Sequence, residues 1–158
     1  MALPRIDTPT YQTTLPSTGE TINYRPFLVK EQKIIMMAEE SQDDNQMIQA
    51  VVDLVGSCTF NKIDLSRSPT FDVEYLFLKV RGKSVGETMN INVICPDDEI
   101  TTTQVQVKVD DIKVDMLEGH TNILQITDSI KMYLRYPSLS DVGNFKNLET
   151  TDGIFQIL

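Results

Sequence analysis

The sequence lacks most of the features by which enzymes are recognised from sequence. It contains one histidine, two cysteines and no tryptophan, and its seven glycines are scattered along the chain. No glycine-rich phosphate loop is present. No apolar run approaches the roughly 18 residues that would cross a bilayer, so we predict no membrane association.

Basic residues are also few. Lysine and arginine number 14 against 23 aspartates and glutamates, which gives a net charge of −9. Binding to a phosphate backbone requires clustered basic residues, so we predict no nucleic-acid partner. Acidity favours solubility and docking on basic protein surfaces, although it identifies no partner. The hydrophobic fraction of 41% is typical of a globular chain, and 158 residues can bury a substantial core.

The residues that could supply nucleophilic or metal chemistry do not form a recognisable pattern. His120 follows Gly119 in a predicted turn, which favours a solvated turn residue over a general base. Cys58 and Cys95 lack the C-x2-C spacing of structural zinc sites, and no basic cluster adjoins either thiol. We interpret Cys58 as a small buried hydrophobe. The sequence therefore predicts no metal and no cofactor.

Acidic pairs are the remaining candidates for catalysis. They are Glu39-Glu40, Asp43-Asp44, Asp97-Asp98 and Asp110-Asp111. Three of the four lie at predicted turns or helix ends, where carboxylates are expected as caps. We therefore predict no catalytic residue and no enzyme. The outside alternative is a carboxylate-using hydrolase, which requires Asp97, Asp98 and Asp110 to converge in one cleft with raised pKa values.

Periodicity changes along the chain from strand to helix and back to strand. Residues 11–15 and 20–24 alternate on either side of a turn and predict a β-hairpin. Two helices follow at 28–40 and 46–55. Asp43 or Asp44 caps the second, and Gly56 lies just past its end. A third helix begins with Ser68 as N-cap and Pro69 at the first position. Its segment 71–80 is apolar nearly all round, which places it at the centre of the core.

From residue 87 onward the period is two. The pattern predicts strands at 89–95, 105–109, 112–116 and 130–136. The predicted fold class is α+β, with the N-terminal β-hairpin and three helices packed on a three- to four-stranded antiparallel sheet.

Three regions follow from this pattern. They are an extended N-terminal arm over residues 1–10, a single α+β domain over 11–137, and a C-terminal segment over 138–158. The apolar end of that segment either docks on the core or begins a truncated helical region.

Several motifs, in order, resemble a known family. The turn LPSTG at 15–19 is followed by NYRPFLVKEQK at 23–33 and MAEES at 37–41. FDVEYLFL at 71–78 precedes RGKSVGE at 81–87, and IKMYLRYP occupies 130–137. From residue 3 to 137 the chain resembles the baseplate hub proteins of T-even (T4-like) contractile-tailed phages. The resemblance implies a hub subunit or hub assembly factor, without catalytic residues, and with other phage baseplate hub or tail proteins as partners.

Two functions follow from the resemblance. One is a structural subunit retained in the virion tail baseplate, and the other is a transient assembly chaperone that acts in the host cytoplasm and leaves. The sequence leaves homo-oligomer formation open. Three groups of residues are predicted to contact partners. The first belongs to the arm and consists of Pro4, Ile6 and Tyr11. The second is an aromatic–arginine cluster of Tyr24, Arg25 and Phe27, and the third is a basic–aromatic spot of Arg81, Lys83, Tyr133 and Arg135.

Overall fold

The computed structural model describes residues 8–139 and 141. The elements in chain order are strands β1 Tyr11–Thr14 and β2 Thr21–Tyr24, helices α1 Val29–Ser41, α2 Asp44–Cys58 and α3 Thr70–Val85, strands β3 Thr88–Ile94 and β4 Thr102–Lys108, a 3-10 turn Val109–Asp111, and strands β5 Ile123–Thr127 and β6 Ile130–Tyr133. This confirms the α+β class. The predictions for residues 1–7, with Pro4 and Ile6, and for residues 142–158 lie outside the described residues.

The first hairpin is tied to the helices by a buried carboxylate. β1 and β2 pair from Tyr11↔Tyr24 to Thr14↔Thr21, as predicted. In the turn between them, the backbone N–H of Ser17 donates to Asp72 Oδ1 at 3.1 Å, and the Ser17 hydroxyl donates to Oδ2. Asp72 lies in the first turn of α3 and is only 2% exposed. A buried carboxylate must be hydrogen-bonded, so this contact fixes the hairpin on α3.

The ends of α2 and α3 differ from the predicted ends by a few residues. Asp43 caps α2 by accepting from the Asn45 N–H at 2.9 Å. Gly56 lies inside this helix rather than past its end, which corrects the predicted stop. The helix continues because Cys58 is fully buried beyond it, and it ends where the Thr59 hydroxyl donates to a helix carbonyl. At α3, Pro69 is itself the N-cap residue, so the predicted cap moves by one position.

The core lies between the helices and the first hairpin, with α3 at its centre, as predicted. Leu76 and Val80 of this helix are fully buried, and so is Val55 of α2. The buried cluster consists of Leu15, Ile22, Tyr24, Leu54, Val55, Cys58, Leu65, Val73, Leu76 and Val80. Burial of this apolar surface is the main force that holds the helices and the first hairpin together.

The sheet arrangement differs from the predicted one. β3 pairs with β4 from Thr88↔Lys108 to Ile94↔Thr102, and β5 pairs with β6. Within the described part of the chain, the strands form three separate two-stranded sheets rather than one three- to four-stranded sheet beneath the helices. Sequence alternation specifies a strand with two unlike faces, but it does not specify which further strand completes the sheet.

The turn after β4 explains why the strand predicted at residues 112–116 does not form. Val109 is buried against α3, with its side chain beside Gly82, and Asp110 accepts from Lys79 Nζ at 2.8 Å. These two contacts turn the chain at the base of α3. Residues 112–116 consequently form no strand, whereas β5, which sequence reasoning missed, pairs with a shortened β6.

Candidate interaction surfaces

The predicted aromatic–arginine cluster is assembled, but Arg25 is used within the chain. Its Nη2 atom lies 2.9 Å from Glu31 Oε1, and the two side chains are 12% and 5% exposed. Glu31 Oε2 also accepts the N–H of Leu28 at 2.7 Å, which closes the first turn of α1. Burial opposes ionisation of Glu31, but the hydrogen bonds from Arg25 and Leu28 outweigh it and hold its pKa below the usual range. This ion pair locks α1 against the end of β2.

The aromatic members of the cluster also face inward. Tyr24 is 3% exposed and its ring centroid lies 5.7 Å from that of Tyr11, which is half-buried. Burial raises the pKa of Tyr24. Phe27 packs against the core, and its N–H donates to Ser84 Oγ at 3.0 Å. Lys83 Nζ lies 5.3 Å from the Tyr11 ring centroid and also pairs with Glu87. The structure therefore joins Lys83 to this cluster, around the meeting point of the first hairpin, α1 and α3.

The four residues of the predicted basic–aromatic spot have different surroundings. No hydrogen bond or ion pair in residues 8–139 and 141 joins Arg81 or Lys83 to Tyr133 or Arg135. Arg81 is half-buried, and its Nη1 atom is buried without a hydrogen-bond partner. Tyr133 stands 71% exposed on β6. Arg135 pairs with Asp141 at 2.6 Å, and this hydrogen bond lowers the pKa of the Asp141 carboxyl.

A groove of about 510 Å³ contains His120. The His120 Nε2 atom lies 2.7 Å from the Tyr136 hydroxyl, and the two rings stack with centroids 5.8 Å apart. Tyr136 in turn meets Phe71 edge-on at 4.9 Å. His120 is exposed in a turn, as the sequence predicted. Its hydrogen-bond partner is a phenol rather than the serine or cysteine that acyl-transfer chemistry would use.

The carboxylates that a hydrolase would need do not converge. Asp98 lies in the β3–β4 turn, where it accepts from the N–H groups of Ile100 and Thr101, and Asp110 lies at the opposite end of that hairpin beside Lys79. The hydroxyl of Thr101 lowers the pKa of Asp98, and the ammonium of Lys79 lowers that of Asp110. A general acid requires the opposite shift. In the part of the chain that the structure describes, no three His, Cys, Asp or Glu side chains come close enough to hold a metal.

An apolar groove of about 360 Å³ runs between α2 and α3. Its lining consists of Met47, Ile48, Val51, Val73, Glu74, Phe77, Leu78 and Leu139. On α1, Met36 and Met37 are 54% and 59% exposed. These two lie on the surface, and Met47 lies at the wall of the groove.

The exposed apolar surface of the two later hairpins was missed by sequence reasoning. On β3–β4, Ile91, Val93 and Val105 are 43%, 44% and 42% exposed. We define the β3–β4 apolar face as Met89, Ile91, Val93, Val105 and Val107, which the strand register places side by side. The β5–β6 hairpin exposes Ile123, Leu124, Ile126, Ile130, Met132 and Tyr133. Monomeric proteins seldom leave so many neighbouring apolar side chains uncovered, and such surfaces mark sites of protein contact.

The sequence signal for this surface is the lack of charge on the strands. β3 carries no charged residue, and β4 carries only Lys108 at its end. Solvent-exposed hairpins usually contain several charged residues, which prevent unwanted strand pairing. Long uncharged alternation therefore indicates a hairpin that is covered by a partner, rather than one that faces water.

Exposed apolar hairpins beside a tightly packed set of helices are typical of a protein whose surface makes contacts with other proteins. The sequence matches the family described as T4 bacteriophage base plate protein over residues 8–158, and the chain belongs to that family. It is therefore a baseplate protein of a contractile-tailed bacteriophage, and membership implies contacts with other baseplate or tail proteins. No curated protein and no solved structure gives a significant match.

Within residues 8–139 and 141, no helix is both long enough and apolar enough to cross a membrane.

Proposed function

We propose that this chain is a structural subunit of the baseplate hub that acts through protein–protein contacts and catalyses no reaction. The observation that carries the proposal is the exposed apolar surface of β3–β4 and β5–β6. An isolated two-stranded hairpin is marginally stable in water, so these two hairpins are expected to gain stability when a neighbouring protein covers them. Permanent interfaces are the more apolar kind, which favours a retained subunit.

The hub position within the baseplate is supported by the motifs at 23–33, 71–87 and 130–137. The first two fold into the packed centre of the molecule, where Arg25 and Glu31 pair and Leu76 is buried. These two motifs therefore support membership of the family because they specify its packed core. The third motif exposes Tyr133 on strand β6 and Arg135 at the groove that contains His120.

A transient assembly factor is the second candidate. Met36 and Met37 favour it, because they are exposed next to each other on α1. Methionine side chains adapt to differently shaped partners, so methionine-rich surfaces are typical of proteins that bind several targets in turn. Such a factor works in the host cytoplasm during assembly and is absent from the finished particle.

Quantitative mass spectrometry of purified virions separates the two candidates. A retained subunit gives peptides at a fixed number of copies per particle that survives a high-salt wash. An assembly factor gives peptides in infected cells, together with co-purifying hub proteins, but none in particles. Recovery of the tagged chain from infected cells with host metabolic proteins and no tail protein would overturn both.

A further inference from the structure

The apolar groove between α2 and α3 has walls that remain partly uncovered. Among the described residues of its lining, Glu74 is the only charged one, and the others are apolar. Phe77 and Leu78 of α3 are half-buried there, as is Leu139 from the far end of the described chain. Because apolar walls gain stability when they are removed from water, the groove favours an apolar occupant.

The chain is held beside this groove just before residue 139. The Thr70 N–H, at the start of α3, donates to the Pro137 carbonyl at 3.2 Å. The N–H and the hydroxyl of Ser138 donate to the Asp141 carboxylate at 2.8 and 2.7 Å. Residues 139 and 141 are helical, and a side chain that reaches back three positions to the N-cap N–H is the arrangement of a capping box. A helix therefore begins at the groove.

The sequence beyond this start continues the apolar spacing of a helix. Val142, Phe145 and Leu148 follow Leu139 at intervals of three residues. At 100° per residue these four positions fall on one half of a helix, and Asn147 falls on the other half. The nine steps from residue 139 to 148 span about 14 Å of helix, whereas the groove wall from residue 73 to 78 spans about 8 Å. The segment is long enough to cover the groove.

The segment also has an advantage over any separate molecule. It is joined to Leu139, which already lies in the groove wall. A short tether of this kind gives an effective concentration in about the millimolar range. A second copy or a partner helix in dilute solution has to displace the segment before it can bind there.

We infer that the part of this chain that follows residue 141 occupies the α2–α3 groove, with Val142, Phe145 and Leu148 against its apolar walls. The groove is then a contact within the chain, and contacts with neighbouring proteins are left to the β3–β4 and β5–β6 hairpins. This inference goes beyond the proposed hub function and does not depend on it.

Oxidation of methionines in the full chain tests the inference, because Met47 lies in the wall of the groove. Dilute hydrogen peroxide converts accessible methionines to sulfoxides, and mass spectrometry of the peptides gives a rate for each one. Met36 and Met37, which are 54% and 59% exposed, serve as the internal reference. We expect Met47 of the parent chain to be oxidised several-fold more slowly than the reference pair, at every protein concentration from the low micromolar range upward.

Substitutions beyond residue 141 show which part of the chain protects the groove. Phe145→Asp places a charge on the apolar side and is expected to raise the oxidation rate of Met47 several-fold. Leu148→Asp is expected to have the same effect. Asn147→Asp adds the same charge on the opposite side and is expected to leave the rate unchanged. Cys58, which is fully buried in the core, should stay unreactive toward a thiol reagent in all three variants, which shows that the change is local.

Three outcomes would overturn the inference. They are oxidation of Met47 as fast as that of Met36 in the parent chain, equal rates at Met47 in the Phe145→Asp and Asn147→Asp variants, or protection that appears only at high protein concentration. The first outcome leaves the groove open for a partner, and the third assigns it to a second copy. Neither bears on the hub function, which the virion measurement tests separately.

Discussion

Replacement of Glu31 by alanine is expected to be the most informative single change to the helical part of the chain. The substitution leaves the Arg25 guanidinium, whose side chain is 12% exposed, without its carboxylate, and it leaves the Leu28 N–H without its acceptor. Loss of one partner from a buried ion pair costs about 3–5 kcal/mol. Residual exposure of Arg25 allows water to screen the charge, so we expect a loss of about 2–3 kcal/mol. For a chain of this size, the melting temperature falls by roughly 4–12 °C.

Thermal and urea denaturation followed by circular dichroism measures this loss. Glu40→Ala is the matched control, because Glu40 lies on the same helix and is exposed. A surface change of that kind is expected to stay within about 0.5 kcal/mol of the parent. The reasoning is refuted if the Glu31 and Glu40 variants have the same free energy of unfolding.

The same contact predicts a dependence on pH. The pKa of Glu31 is lower in the folded chain than in the unfolded chain, so its ionised form is bound more tightly by the fold. The stabilisation is complete above the unfolded pKa of about 4.3 and is lost as the pH falls through the folded pKa. The stability difference between the parent and Glu31→Gln should therefore shrink on acidification. A difference that stays constant from neutral pH to acid would contradict the assigned role of the charge.

Two further predictions concern the core and the thiols. Leu76→Ala, at a fully buried position, is expected to cost about 2–5 kcal/mol in urea denaturation, whereas Ile100→Ala, at a position 83% exposed, should cost less than about 0.5 kcal/mol. In the folded chain, a thiol-specific reagent is expected to modify Cys95 and to spare Cys58 until urea unfolds the protein. The reason is that burial covers the Cys58 thiol and raises its pKa to about 11. Immediate modification of both thiols would contradict the packing of α2.

The helices and the first hairpin could be predicted because their signals are local. Alternation on either side of a four-residue turn specifies β1 and β2, and Asp43 specifies the start of α2 by capping a backbone N–H. The prediction that α2 ends just before Gly56 was wrong. A glycine signals a helix stop only when nothing beyond it needs to be buried, and Cys58 beyond it is fully buried.

The sheet could not be predicted, because pairing between hairpins depends on contacts far apart in sequence. The turn after β4 arises from Val109 packing beside Gly82 and from Asp110 reaching Lys79. Neither contact can be recognised from the pattern of apolar and polar residues at 105–116.

The same limitation applies to the predicted contact residues. Exposure was inferred from residue type, and an aromatic or arginine side chain serves a core as readily as an interface. Tyr24 and Arg25 face the interior, whereas Tyr133 and the strands β3 and β4, which carry Lys108 alone among charged residues, face solvent. A count of charged residues per strand would have distinguished the two cases better than the count of aromatics.

Three separate hairpins divide the chain into units of unequal local stability. The helices share a buried core with β1 and β2, so these elements are expected to open together and at the full cost of unfolding. The β3–β4 and β5–β6 hairpins rest on few buried side chains, so each can open while the core stays folded. Part of the free energy of binding a partner is then used to order these two hairpins. Substitutions in the hairpins can therefore change the affinity for that partner while the core stays the same.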